Sequence, residues 1–148
     1  MSAAAVAFAP ARHESPQLVA AFELRTSKGR ALVVDDSLDI AEMLAAMLRH
    51  AGYDATTAYS AQDALTAAFS QHFDVIVSDI GMPGMNGYEL ARALRAAPEY
   101  QSVPMVAVTG FAMYDDRDRA LEAGFNHHLS KPVDPTALMR AVHGIRVH

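Results

Sequence analysis

From Arg30 onward, five short apolar runs alternate with stretches of helical period, and this alternation limits the fold more than anything else in the chain. The runs are Ala31 to Val34, Tyr53 to Tyr59, Phe73 to Ser78, Val103 to Val108 and Phe125 to Leu129. Between them, Ile40, Leu44, Met47, Leu48 and Ala51 share one helical face before Gly52. Ala61, Ala64, Leu65 and Ala68 make a second stripe, and Leu90, Ala91 and Leu94 a third, closed by Pro98. Met113 to Ala123 reads as a polar helix stopped by Gly124. Asp134 before Pro135 is an N-cap opening a last helix through Leu138, Val142 and Ile145. Five such βα units predict a parallel sheet with helices on both faces, because each parallel crossover needs a covering helix. The run from Tyr53 to Tyr59 is the less apolar one and is expected at a sheet edge.

How the runs end is equally informative. The first stops at Asp35-Asp36, the third at Asp79 before Gly81-Met82-Pro83-Gly84, the fourth at Thr109, and the fifth leads into Lys131-Pro132. In open parallel sheets, sites form outside the carboxyl ends of the strands. Three carboxylates gathered there repel one another unless protons or a cation relieve them. Mg²⁺ takes oxygen ligands and is typically held by one or two carboxylates plus a phosphate. Phosphoryl transfer needs a nucleophile, a metal, and cations or donors on the phosphoryl oxygens. Asp79 suits the nucleophile, giving an acyl phosphate; Asp35 and Asp36 suit the metal, Lys131 the phosphoryl charge, and Thr109 a hydroxyl donor. Taken singly, each has an ordinary explanation: a helix entry, turn chemistry, a strand end, a surface amine. Four together at one sheet edge do not.

Composition removes other classes. The chain has 148 residues, enough for one domain with a sizeable core, and a formal net charge of −5 with no clustered Lys and Arg, which argues against nucleic acid. It has no cysteine, so disulfides, thiolate nucleophiles and Cys-ligated zinc are excluded. No apolar run approaches the ~20 residues that span a bilayer. Met1 to Ala9 lacks the basic start of a signal peptide and breaks at Pro10, so a cytoplasmic protein is expected. Residues 1 to 28, Ala-rich with an apolar patch from Leu18 to Leu24, read as an N-terminal extension, and residues 29 to 148 as the folded domain. There is no phosphate-binding G-x-x-x-x-G-K-[ST] loop and no glycine-rich turn after the first strand, which disfavours a nucleotide or flavin protein.

The series Val33-Val34-Asp35-Asp36-Ser37, Asp79-Ile80-Gly81-Met82-Pro83-Gly84-Met85-Asn86-Gly87, Val108-Thr109-Gly110 and Leu129-Ser130-Lys131-Pro132 resembles the receiver domain of two-component response regulators, over residues 30 to 148. The resemblance implies a flavodoxin-like (βα)₅ fold with strand order 2-1-3-4-5. It implies Asp79 as the acceptor of a phosphoryl group from a sensor histidine kinase or a histidine phosphotransfer protein. Mg²⁺, replaceable by Mn²⁺, would be ligated by Asp36, Asp79 and the Gly81 carbonyl, with Asp35 acting largely through water. Lys131-Pro132 is expected as a cis peptide. Output is expected through a downstream protein on the face of the fourth helix, fifth strand and fifth helix, with Thr109 as a switch residue. Gly124 to Leu129 resembles receivers attached to hybrid kinases.

Two departures carry expectations of their own. The aromatic switch position holds His128, which predicts pH-sensitive activation. Gly81 and Phe111, two residues beyond Asp79 and Thr109, carry no group to orient attacking water, which predicts a long-lived acyl phosphate. The competing readings are a pseudo-receiver binding module, and an aspartate-nucleophile phosphatase of the haloacid dehalogenase type, disfavoured because Gly81 stands where that chemistry needs an acid. Asp115 to Arg119 reads as a solvated helix face, His127-His128 as strand neighbours on opposite faces rather than a metal pair, and Met43, Met47 and Met139 as core filler.

Overall fold

The computed structural model describes residues 27–110 and 116–146. Five parallel strands lie in the order β2-β1-β3-β4-β5: β1 Arg30–Val34, β2 Asp54–Ala58, β3 Val75–Asp79, β4 Met105–Thr109 and β5 His127–Ser130. They alternate with helices α1 Leu38–His50, α2 Ala61–Ser70, α3 Gly87–Arg95, α4 Asp116–Ala123 and α5 Pro135–Arg146. This is the flavodoxin-like α/β architecture expected from the alternation.

The two-residue side-chain period of the strands separates two cores. Ala31, Val33, Val75, Val77, Val106 and Val108 face α1 and α5, packing with Leu44, Leu48, Leu138 and Val142. Leu32, Val34, Ile76, Met105 and Ala107 face α2, α3 and α4, packing with Ala64, Leu90, Leu94 and Ala120. β3 and β4 are buried at every position, whereas β2 is partly exposed, as an edge strand should be. Each fully buried Leu or Val contributes roughly 1.5–3 kcal/mol of transfer free energy.

Side-chain caps start the helices. Ser37 and Ser60 accept from Ile40 and Asp63 backbone N–H groups, Asp134 from that of Ala137, and Asn86 forms a reciprocal capping box with Glu89. The third helix ends at Arg95, and Pro98 instead opens a 3₁₀ turn, Pro98–Tyr100. That turn drives Tyr100 fully into the core, where its hydroxyl accepts from the Phe73 N–H at 3.1 Å and donates to the Ala68 carbonyl at 2.7 Å. The Arg95 guanidinium donates to the carbonyls of Tyr100, Val103 and Gly124, joining three loops, and its burial lowers its pKa. Among the described residues, no helix is long and apolar enough to cross a membrane.

Three local expectations change. Of the acidic-basic stretch, Asp116 is buried rather than solvated: Tyr88 reaches its carboxylate at 3.5 Å, and the Arg119 guanidinium lies 4.7 Å above the Tyr88 ring. Met43 is not core filler, being 43% exposed, whereas Met47 and Met139 do pack against the core under α1 and α5; all three line one surface groove. The last strand starts at His127, since Asn126 spends its side chain accepting the Met105 N–H at 2.8 Å. Phe111, most of residues 1 to 28, and Met113 to Asp115, with which the expected fourth helix begins, lie outside the described residues.

Candidate functional site

β1 and β3 are adjacent in the sheet, and the chain leaves them toward opposite faces, to α1 and α3. Their carboxyl ends flank the crevice where such sheets bind ligands. Asp35 and Asp36 follow β1, and Asp79 ends β3. Asp35 is fully buried, its Oδ1 accepting the Ser37 N–H at 2.9 Å, while Asp36 is exposed and Asp79 only 4% exposed. Their carboxylates supply three oxygens within 4.8 Å of one another.

Lys131 comes to the same point from the far side of the sheet. Its backbone N–H donates to the Thr109 carbonyl at 2.8 Å, it precedes a cis peptide to Pro132, and its Nζ lies 2.9 Å from Asp35 Oδ2 and 3.3 Å from Asp79 Oδ1. Thr109 ends β4, buried, beside the register partner of Asp79, which is Val108. The sheet therefore brings Asp35, Asp36, Asp79 and Lys131 together, with Thr109 at the next strand end. Gly81 sits on the open side, where an added Cβ would meet nothing within 4 Å. His128 stands apart on β5, paired with Ala107, with a buried Nε2 that has no hydrogen-bond partner among the described residues.

The electrostatics follow from this crowding. Burial raises the Asp79 pKa, the Asp35 charge raises it further, and Lys131 only partly opposes them. For Lys131, burial pulls downward but the Asp35 hydrogen bond and the charges of Asp79 and Asp35 outweigh it, so its pKa is raised. Among the described residues, the cluster holds three carboxylates, and its ion pairs join the one ammonium of Lys131 to two of them, Asp35 and Asp79. An all-oxygen cluster with surplus negative charge and one exposed member fits a hard divalent cation.

The Asp79 shift has a consequence for stability. A carboxyl whose folded pKa exceeds its unfolded one stabilises the fold below the unfolded value, and that contribution is lost as pH rises through the folded value. In metal-free protein, the wild type is therefore expected to lose stability relative to Asp79→Asn as pH climbs above the ordinary carboxylate value of 3.8. By neutral pH the variant should be the more stable, since it no longer buries a charge that Lys131 only partly offsets. Urea midpoints of both proteins across this range, with a chelator present, check the sign; equal midpoints throughout would contradict it.

Gly87, which closes the series from Asp79 that carries the family resemblance but has no role of its own there, packs against the backbone of Asp79 and Ile80.

Comparison with known proteins agrees with this geometry. The family described as the response regulator receiver domain matches residues 31–143. An uncharacterized 14.6 kDa protein of Leptolyngbya boryana, from the sodA1 3' region, is 41% identical over 111 residues, covering 75% of this chain and 85% of that protein. The sensor histidine kinase RcsC of Escherichia coli is 38% identical over 102 residues, covering 69% of this chain but only 10% of the kinase. Among solved structures, the chemotaxis protein CheY4 of Vibrio cholerae superposes with a TM-score of 0.74 at 33% identity, covering 78% of this chain and 97% of CheY4. The chain belongs to the response regulator receiver domain family.

Proposed function

We propose that this chain is a phosphoacceptor of a two-component phosphorelay, phosphorylated on Asp79 by a sensor histidine kinase or a histidine phosphotransfer protein, and signalling through phosphorylation-dependent protein contacts. The observation that carries this reading is the position of the Lys131 ammonium, within 3.3 Å of both the Asp35 and Asp79 carboxylates.

In the ionised state, an Asp79 carboxylate oxygen attacks the phosphorus of a phosphohistidine in line with the leaving imidazole nitrogen. The P–O bond forms as the P–N bond breaks, and the nitrogen keeps the electron pair. Lys131 neutralises charge on the transferred phosphoryl oxygens, and the Thr109 hydroxyl donates to one of them. Asp35, Asp36, Asp79 and the Gly81 carbonyl would hold Mg²⁺ or Mn²⁺, which when bound supplies positive charge against the same oxygens. Asp35 has a second role: its buried carboxylate orients the Lys131 ammonium. Engagement of Thr109 by the phosphoryl group then biases the face of α4, β5 and α5, which carries His128, toward a downstream protein. Residues 29 to 148 form the receiver and 1 to 28 an extension to it.

Intact mass after incubation with phosphoramidate and Mg²⁺ tests the assignment. The wild type is expected to gain one phosphoryl group and Asp79→Asn none. Modification of the Asn variant to the same extent, or multiple turnover of a phosphomonoester abolished in Asp79→Ala, would remove the reading in favour of another acceptor or of a phosphatase.

A further inference from the structure

The apolar groove between α1 and α5 lies apart from the acidic site, on the outer side of the core against which Met47, Ala51 and Met139 pack. It has a volume of about 440 Å³ and is lined by Met43, Ala46, Met47, His50, Ala51, Pro135 and Met139. Methionines suit such a surface because their unbranched, polarizable side chains mould to an apolar partner. A helix normally turns its charged side to water, yet α1 shows Met43 at 43% exposure beside Ala46.

Where the described chain begins tells what is available to cover this groove. The Lys28 N–H donates to the Gly52 carbonyl at 2.9 Å, and the Lys28 side chain lies over Gly52. Gly52 directly follows Ala51, which lines the groove, so residues before Ser27 start at its α1 end. They include Leu18-Val19-Ala20-Ala21-Phe22-Glu23-Leu24, with four large apolar side chains in seven residues. From Ser27 back to Phe22 the chain reaches at most roughly 17 Å, at about 3.3–3.6 Å per residue. The groove runs from Ala51 to Met43, eight residues of helix or roughly 12 Å at 1.5 Å per residue. Reach and polarity both match.

We infer that residues 18–24 of this same chain dock into the α1–α5 groove, with Leu18 and Phe22 against Met43, Met47 and Met139. Tethering makes the contact intramolecular, so a modest apolar match suffices to keep the groove covered. Because Pro135 lines the groove three residues beyond Pro132, a docked extension also lies along the loop that carries Lys131 toward the acidic site.

The test is hydrogen peroxide footprinting of the full-length protein, reading methionine oxidation residue by residue by mass spectrometry. Met43 and Met139 are expected to oxidise at least threefold faster in a Leu18→Asp, Phe22→Asp variant than in wild type. Ala46→Glu, on the exposed groove wall, is expected to accelerate Met139 similarly. Met82 and Met105, buried in the other core, serve as the control for folding and should keep their rates. Equal Met43 and Met139 rates in wild type and the double variant would overturn the proposal. So would protection of wild type that vanishes on dilution, which would assign the cover to a second copy.

Discussion

Gly87→Ala is expected to cost about 3 kcal/mol of stability and to lower the rate of phosphoryl uptake on Asp79. An ideal Cβ at position 87 would run into the Asp79 carbonyl oxygen and stand 2.8 Å from the Ile80 Cα. Both obstacles are backbone, so no side chain can swing away, and overpacking of this kind costs roughly 1–3 kcal/mol or more. The relief available is movement of the start of α3 off the loop after β3. That movement stretches the 2.9 Å bond from the Gly87 N–H to the Ile80 carbonyl and shifts the carboxylate at the tip of β3. Gly81→Ala is the matched control, because it meets nothing within 4 Å and its backbone angle is ordinary; its stability should stay within about 0.5 kcal/mol of wild type. Urea midpoints and phosphoramidate labelling rates of the two variants decide the matter. If Gly87→Ala matches Gly81→Ala in both, the close packing of α3 on the Asp79 backbone is not a constraint.

Lys131→Met should destabilise the metal-free protein by about 3–5 kcal/mol, because removing one partner of a buried ion pair leaves the other charge uncompensated. Here two carboxylates are left: Asp35, with a side chain fully inaccessible, and Asp79, 6% exposed. The loss should shrink when Mg²⁺ is added, since a divalent ion replaces the missing positive charge at the same oxygens. It should also shrink in the Lys131→Met, Asp79→Asn double variant, which removes one of the stranded acids; the two substitutions share a contact and their effects should not add. Midpoints measured with chelator and with excess Mg²⁺ provide the comparison. A Lys131→Met midpoint equal to that of wild type in chelator would show that the ammonium does not balance these acids.

Much of this site was legible before any coordinates, for a specific reason. In a doubly wound sheet, a residue at the carboxyl end of a strand arrives at the same edge as every other such residue, whatever its distance along the chain. Knowing that Asp35, Asp79 and Thr109 end apolar runs was enough to place them on that edge. What could not be read was the closeness of approach. Asp35 to Lys131 spans ninety-six positions, and their 2.9 Å contact depends on strand register and on the turn after β5. The helix surfaces were harder still. The methionines of α1 and α5 show a period that fits a core, and only the position of the neighbouring elements decides whether that stripe meets the sheet or opens to water. Tyr100 and Arg95 carried no structural role in the sequence, and Asp116 read as part of a solvated face, because each acts across elements: Tyr100 back to the end of α2 and the turn before β3, Arg95 across to the loop before β5, Asp116 against Tyr88 of α3.

The amino-acid order by itself determined the element sequence, the two-sided burial of the central strands, and which chemical groups stand at the strand ends, because side-chain period and chain breakers are local properties of the backbone. The tertiary structure alone decided that one ammonium reaches two of three clustered carboxylates, that a glycine must stand behind Asp79, and that an apolar groove is left between the first and last helices. Those depend on the distance between elements far apart in sequence, which packing sets and no local pattern encodes.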